Sequence, residues 1–361
     1  MLLLKQLRSL NRLRSFFGAK IAMDLGTANT LIYTKEDGIV LDEPSVVALN
    51  INNGGAVLAV GKRAKEMVGR TPESIKTVRP MKDGVIADFD VTKAMIQHFV
   101  GSVVPKKRFS RPTMMVCVPS GITSVEMKAV IDSSLQCGAG KVHLIEEPMA
   151  AAIGSKLPIQ DVAASMVVDI GGGTTEVAVI SQFAIAYSES SRVAGDEMDD
   201  CIQRYVRREH GLQIGTFEAE RVKIEIGSAH PLSEPLECDA MGIDVSTGIP
   251  RTLRLNDTMV REALESPLKA IVESIRKALF KSSPELASDI RRRGIVLAGG
   301  GSLLKGLGAR LHEETGLSIF RAKDPLTAIV RGTGYVLDNL ADLRKVCLNK
   351  RKSRPPPTPR A

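Results

Sequence analysis

Asp24 and Asp169 stand 145 residues apart at the centre of two stretches of the same form, and this duplication constrains the fold more than any other feature of the chain. Ile21-Ala22-Met23-Asp24-Leu25-Gly26-Thr27-Ala28-Asn29-Thr30 reads as a hydrophobic strand ending in an acid, a Gly/Thr turn and the start of a second strand. Val167-Val168-Asp169-Ile170-Gly171-Gly172-Gly173-Thr174-Thr175 repeats that plan. Asp-x-Gly is common in turns, so either copy alone is weak evidence. The matching threonines and flanking strands favour duplication over coincidence. At about 100 to 200 residues per domain, 361 residues suffice for two or three domains.

The rest of the chain reads as alternating α/β. Strands are expected at Ala19–Asp24, Thr30–Thr34, Ile39–Leu41, Thr113–Val118, Lys141–Ile145, Ser165–Asp169 and Glu176–Ile180, from short apolar runs bounded by turn residues. Helical spacing marks Lys62–Val68, Val91–Val103 and Val125–Cys137, and an Ala-rich helix follows Glu146-Glu147-Pro148.

Turns of this kind suit anions. With little Cβ bulk, successive backbone N–H groups approach a phosphate closely, and two such turns facing one another would grip a triphosphate from both sides. Asp24 and Asp169 would then stand beside the same phosphates, able to hold Mg²⁺ mostly through its water shell. Neither Gly61-Lys62-Arg63 nor Gly140-Lys141-Val142 is a Walker P-loop, since each lacks the earlier Gly and the following Ser/Thr. Glu147 follows a strand, where it could order a water for attack on the terminal phosphate. Glu220 and Lys223 are i, i+3 neighbours on an expected helix and project to one face. Ile295–Ala298 runs into Gly299-Gly300-Gly301-Ser302-Leu303, a turn suited to flat contact with a nucleoside. Each element alone reads equally well as a surface acid, a helix salt bridge or a tight turn. Their order along one chain supports a nucleotide cleft.

Charge is unevenly placed. Lys5, Arg8, Arg12, Arg14 and Lys20 at one end, and Lys345, Lys350, Arg351, Lys352, Arg354 and Arg360 at the other, stand without acids, which leaves residues 21–344 at −3 within a total of +8. A body of that charge is unlike a nucleic-acid-binding domain. On a helical wheel Leu3, Leu7, Leu10, Leu13 and Phe17 fall within about 120°, nearly opposite Lys5, Arg8 and Arg12. Arg14 lies on the apolar side and Phe16 borders the basic one. Such a helix suits an anionic membrane surface, and a core-docking or partner-binding helix, or a disordered start, is the alternative. The basic residues interrupt any secretory-signal core, and no apolar run approaches the ~18 residues of a membrane span. Pro355, Pro356, Pro357 and Pro359 mark a solvated tail. Five cysteines, far apart and without ligand spacing, read as reduced thiols of a cytosolic protein.

Through its two hairpins and through Glu147, Glu220 to Lys223 and Gly299 to Leu303, the sequence resembles the actin, heat-shock chaperone and sugar-kinase ATPase superfamily. Asp24–Tyr33, Leu41–Ala48, Arg79–Asp88, Glu147–Gly154 and Met166–Val179 are further similar to the bacterial actins of the MreB family, and the similarity covers roughly residues 20–344. It implies an α/β actin-like ATPase of two lobes, each with an RNase H-like core, and ATP with Mg²⁺ in the central cleft. The implied divisions are a membrane-binding extension over 1–18, a first lobe over 19–163, a second over 164–344 whose C-terminal helix returns to the first, and a basic Pro-rich tail over 345–361.

The resemblance implies phosphate contacts from Thr27, Ala28, Asn29, Gly172, Gly173 and Thr174. Catalysis falls to Glu147 and Thr174, the metal to Asp24 and Asp169. The nucleoside would be bordered by Glu220, Arg221, Val222, Lys223, Gly300, Gly301, Ser302 and Leu303. Slow ATP hydrolysis coupled to polymerisation is implied, with antiparallel double filaments at the inner face of the cell membrane and a RodZ-like membrane protein and the wall-synthesis complex as partners. Three departures stand out. Ala194-Gly195 replaces the usual pair of glycines, so a positive φ at Ala194 would be strained. Ala298 replaces a common Thr. With no Lys in the first turn, Mg²⁺ and backbone dipoles are expected to meet the phosphate charge. A chaperone is disfavoured by the short chain beyond the ATPase unit. A small-molecule kinase and a nucleotide-gated scaffold without hydrolysis remain alternatives.

Overall fold

The computed structural model describes residues 19–104 and 111–348; the amphipathic stretch around Leu3–Phe17, residues 105–110 and the Pro-rich segment lie outside the described residues. Its framework is two five-stranded sheets of one topology. The first runs Lys141–Glu146, Thr113–Val118, Lys20–Leu25, Asn29–Thr34, Gly38–Pro44 across the sheet. The second runs Ile319–Arg321, Ile295–Ala298, Ser165–Ile170, Thr175–Ser181, Ala184–Ser191. In each, the central strand pairs antiparallel with its hairpin partner and parallel with the strand on its other side. Even the register repeats, Asp24 opposing Leu31 and Asp169 opposing Glu176. The sequence repeat is therefore the repeat of a whole sheet.

The central strands are buried on both faces, as a strand with a parallel neighbour must be. Period-2 alternation divides their side chains between two cores. Ile21, Met23 and Leu25 pack under the helices Phe89–Val103 and Ser124–Gln136, while Met166, Val168 and Ile170 pack under Gly195–His210 and Asp257–Lys281. Ala22 and Val167, pointing the other way, share a third core with two helices, Glu147–Gly154 and Ala328–Asp338, that joins the two sheets. The latter helix returns to the first sheet: the Thr333 hydroxyl meets Cys117 Sγ, and Lys20 Nζ donates to Leu337 O at 3.1 Å. Gly154 and Gly332 let the two helices touch backbone to backbone.

Each half also carries a three-stranded appendage between its third and fourth sheet strands. Ala56–Val60, Val47–Asn50 and Ile75–Val78 form one; Leu212–Ile214, Glu237–Asp244 and Pro250–Asn256 form the other. Several helices begin on a side-chain cap. Asp88 accepts from Val91 N, and Thr123 and Glu126 form a reciprocal capping box.

Two expectations change. The basic Pro-rich tail implied over 345–361 begins inside the fold: Val346 and Cys347 are buried, and Leu348 N donates to Leu144 O on the edge strand of the first sheet. Apolar side chains at 346–348 win over the basic composition around them. Ala194 has φ −153°, so the strain expected of a positive φ does not arise.

Candidate functional site: a cleft between the two hairpin turns

Each central strand delivers its aspartate at its C-terminal end, the end at which open α/β sheets bind ligands. The turns that follow meet each other. A Cβ built on Gly172 would lie 2.6 Å from Ala28 Cβ, and one on Gly173 would lie 2.7 Å from Thr27 Oγ1. Beside this contact opens a cavity of about 460 Å³ lined by residues of both lobes.

Asp24, Glu147 and Asp169 form its floor, with 7, 7 and 3% of their surface exposed. Glu147 is there because the strand Lys141–Glu146 ends at the cleft and Pro148, at a position where a missing N–H costs nothing, starts a helix. Desolvation raises the Asp24 carboxyl to about 7. Desolvation, then Asp24 and Glu176, raises Asp169 to about 8. Glu147 is pushed well above the carboxylate range by burial, with Asp24, Glu176 and Asp169 adding to it.

Two hard carboxylates in this state fit a divalent cation. Asp169 Oδ1 is buried without a hydrogen-bond partner, and a positive charge beside it would relieve the repulsion among the acids. Among the described residues no three His, Cys, Asp or Glu side chains cluster to cage a metal. Such oxygen donors would suit Mg²⁺, which keeps water and phosphate oxygens in most positions.

The walls sort the remaining candidates. Thr27, Ala28, Asn29, Gly172, Gly173, Thr174, Glu220, Lys223, Gly300, Gly301 and Leu303 line the cavity; Arg221, Val222 and Ser302 do not. On the helix Thr216–Ile226 the cleft face passes through Glu220, Lys223 and Ile224, so 221 and 222 point elsewhere. Arg221 binds Glu218, Glu225 and the Asp239 carbonyl, and Val222 is core. Ser302 turns back to donate to Gly299 O at 2.6 Å. Ala298 is fully buried beneath this turn.

Cations also line the cleft. Lys65 of the first appendage pairs with Glu220 at 2.7 Å, Arg79 with Asp196 at 2.9 Å, and Lys223 with Asp199 at 2.8 Å. The first two pairs cross from one lobe to the other. The expectation that phosphate charge would be met without protein cations is therefore revised: the turn lacks Lys, but the cleft does not. Arg79 opens the Arg79–Asp88 motif, and Asp196 directly follows the Ala194-Gly195 pair. Lys65 and Asp199 carry no local signal, being brought in by chain folding from 155 and 24 residues away from their partners.

The family described as MreB/Mbl protein matches residues 18–345. Cell shape-determining protein MreB of Escherichia coli (strain K12) is 52% identical over 334 residues, 91% of this chain and 96% of that protein. Cell shape-determining protein Mbl of Bacillus subtilis (strain 168) is 46% identical over 329 residues, 91% and 98% of the two chains. Among solved structures, MreB 5 of Spiroplasma citri bound to AMPPNP superposes with a TM-score of 0.87 at 33% identity, covering 90% of this chain and 98% of that one. A MamK double helical filament, 23% identical with a TM-score of 0.77, shares the fold over 89% of this chain and 98% of its own. With its duplicated sheets, facing turns and these likenesses, the chain belongs to the MreB/Mbl family of actin-like proteins.

Proposed function

We propose that the chain is a membrane-associated, actin-like cytoskeletal protein that binds ATP with Mg²⁺ between its lobes, hydrolyses it slowly and polymerises. The observation that carries the nucleotide reading is the meeting of two pseudo-symmetric glycine turns above three buried carboxylates. AMPPNP and ADP in the two Spiroplasma citri MreB 5 structures support it.

Thr27, Ala28 and Asn29 from one side, and Gly172, Gly173 and Thr174 from the other, would receive the phosphates through backbone N–H groups. Asp24 and Asp169 would hold Mg²⁺ largely through its waters, and the bound ion would neutralise phosphate charge. Glu147, fixed at the start of a buried helix, would order the attacking water with Thr174 beside it. Glu220, Lys223, Gly300, Gly301 and Leu303 would border the nucleoside. Lys65, Arg79 and Lys223 supply positive charge at the walls, each already shared with an acid.

Self-association follows the filament-forming likeness and the cell-shape role named for the relatives. Antiparallel double filaments, the RodZ-like partner and the guidance of wall synthesis extend that reading. The location proposed is the cytoplasmic face of the membrane, with the basic amphipathic stretch before residue 18 as the contact. Among the described residues no helix is long and apolar enough to cross a membrane.

The test combines phosphate release with co-sedimentation on anionic liposomes, with and without Mg-ATP, and electron microscopy of the pellet. Glu147→Ala should bind ATP and assemble but release phosphate at least about 100-fold more slowly, the scale of a lost acid–base group. Unchanged release removes Glu147 from the mechanism. Deletion of residues 1–17 should abolish liposome binding while leaving nucleotide binding intact. Nucleotide binding without phosphate release, even in polymer, would favour the nucleotide-gated scaffold.

A further inference from the structure

The carbonyls of both turns are held from behind, by different means in the two lobes. In the second lobe, Gly195 N–H donates to Gly171 O at 3.2 Å and Asp196 N–H to Gly172 O at 2.8 Å. In the first, one residue holds two carbonyls, those of Gly26 and Ala28. Ser45 N–H donates to Ala28 O at 2.9 Å, and the Ser45 hydroxyl donates to Gly26 O at 2.7 Å. Because that hydroxyl hydrogen is committed to Gly26, the 2.9 Å contact between Thr30 Oγ1 and Ser45 Oγ has Thr30 as donor. Ser45 and Thr30 are both fully buried, and Ser45 does not line the cavity.

A trans peptide is planar, with its C=O and N–H on opposite sides. Tying Gly26 O to Ser45 therefore turns the Thr27 N–H away from Ser45, and tying Ala28 O turns the Asn29 N–H likewise. In the second lobe the same geometry orients the N–H groups of Gly172 and Gly173. Where the second lobe ties its turn with backbone amides alone, the first depends on a side chain that one substitution removes.

We propose that Ser45 is a positioning residue for the nucleotide's phosphates, holding the Thr27 and Asn29 amides in their binding orientation through the carbonyls of Gly26 and Ala28. This rests on the reading of the cleft as a nucleotide site. Ser45→Ala leaves Gly26 O, a half-buried acceptor, without its donor and frees the Gly26–Thr27 peptide to turn, while the backbone bond to Ala28 persists. Thr30→Val removes only the hydrogen bond behind Ser45 and leaves Ser45 Oγ on Gly26.

The experiment is isothermal titration of the full chain with Mg-ATP, Mg-ADP and adenosine, for wild type, Ser45→Ala, Thr30→Val and Gly172→Val. Ser45→Ala should weaken both phosphorylated ligands about tenfold and leave adenosine unchanged, as expected for one lost hydrogen bond acting on phosphate alone. Thr30→Val should bind all three as wild type does. Should Ser45→Ala fail to fold, Ser45→Cys, a weaker donor of similar size, must show the same phosphate-selective loss. Affinities within twofold of wild type, or a parallel loss of adenosine, overturn the proposal. If Gly172→Val abolishes binding while Ser45→Ala does nothing, only this inference fails. If wild type binds no nucleotide, or Gly172→Val has no effect, the reading of the cleft fails and this inference with it.

Discussion

Gly172 in one lobe and Ala28 in the other face each other so closely that a methyl group on the glycine would lie 2.6 Å from the alanine's own. The turns are in contact, and the cleft's width is set by the absence of a side chain at 172. Gly172→Ala must push the lobes apart or distort a turn. We expect Mg-ATP affinity to fall by about tenfold or more, with far-ultraviolet circular dichroism unchanged, since the contact lies between folded units rather than inside one. Wild-type affinity in this variant would show that the turns need not meet to bind.

The helix pair behind the cleft gives a sharper contrast between glycines. A Cβ on Gly332 would collide with the Ala150 carbonyl oxygen, whereas one on Gly308, in the helix Leu307–Thr315, would find only Ile319 Cγ2 at 3.8 Å. Gly332→Ala should destabilise by about 1–3 kcal/mol through overpacking. Gly308→Ala should stabilise by about 0.5–1 kcal/mol through helix propensity. Urea unfolding of the two variants measures both, and equal effects would contradict the backbone contact.

Asp199 and Lys223 form the most buried ion pair of the cleft wall, with 4 and 16% of their side chains exposed. Burial raises Asp199 to about 6 even with Lys223 pulling it down. Asp199→Ala leaves the ammonium only Gly195 O, 2.8 Å away, and should cost roughly 3 kcal/mol in chemical denaturation. Adding Lys223→Met should recover much of that loss; a double variant as unstable as the single one would place the cost elsewhere.

The cleft acids set a pH dependence whose sign is fixed. Asp24 and Asp169 hold their protons to about 7 and about 8 in the folded protein, against 3.8 for an ordinary aspartate. Between those values the folded state keeps protons that the unfolded chain releases, so their contribution to stability is full below about pH 4 and declines as pH rises to about 8. In buffer free of divalent cations and nucleotide, the thermal midpoint of wild type should fall more from about pH 5.5 to about pH 8.5 than that of the Asp24→Asn, Asp169→Asn double variant. Mg-ADP should raise the wild-type midpoint most at the alkaline end. Parallel slopes in the two proteins would mean that these groups titrate normally.

Legibility in the sequence followed the range of the interaction. The strands and helices that were read came from periods of two and about 3.6 residues, and the observed Thr113–Val118 has the bounds its apolar run suggested. Both three-stranded appendages and the helices Gly195–His210 and Asp257–Lys281 were not read. Others moved by a residue or two, as Val125–Cys137 became Ser124–Gln136 once Thr123 took the cap. Of the four helix residues expected beside the nucleoside, Glu220 and Lys223 line the cavity and Arg221 and Val222 do not. Glu220 and Lys223 share a face by helix geometry, but nothing local says that Val222 fills the core or that Arg221 is held outward by Glu218 and Glu225.

What the sequence determined by itself is the duplicated hairpin, the aspartate closing each central strand and the glycines of each turn, because strand alternation and turn chemistry are properties of neighbouring residues. Only the tertiary structure decided that Gly172 meets Ala28, that Lys65 reaches Glu220, that Ser45 ties down the turn at Gly26, and that Val346 and Cys347 pack rather than dissolve. These contacts join residues far apart in the chain, and their partners are selected by burial and close packing across the whole fold, which no local pattern encodes.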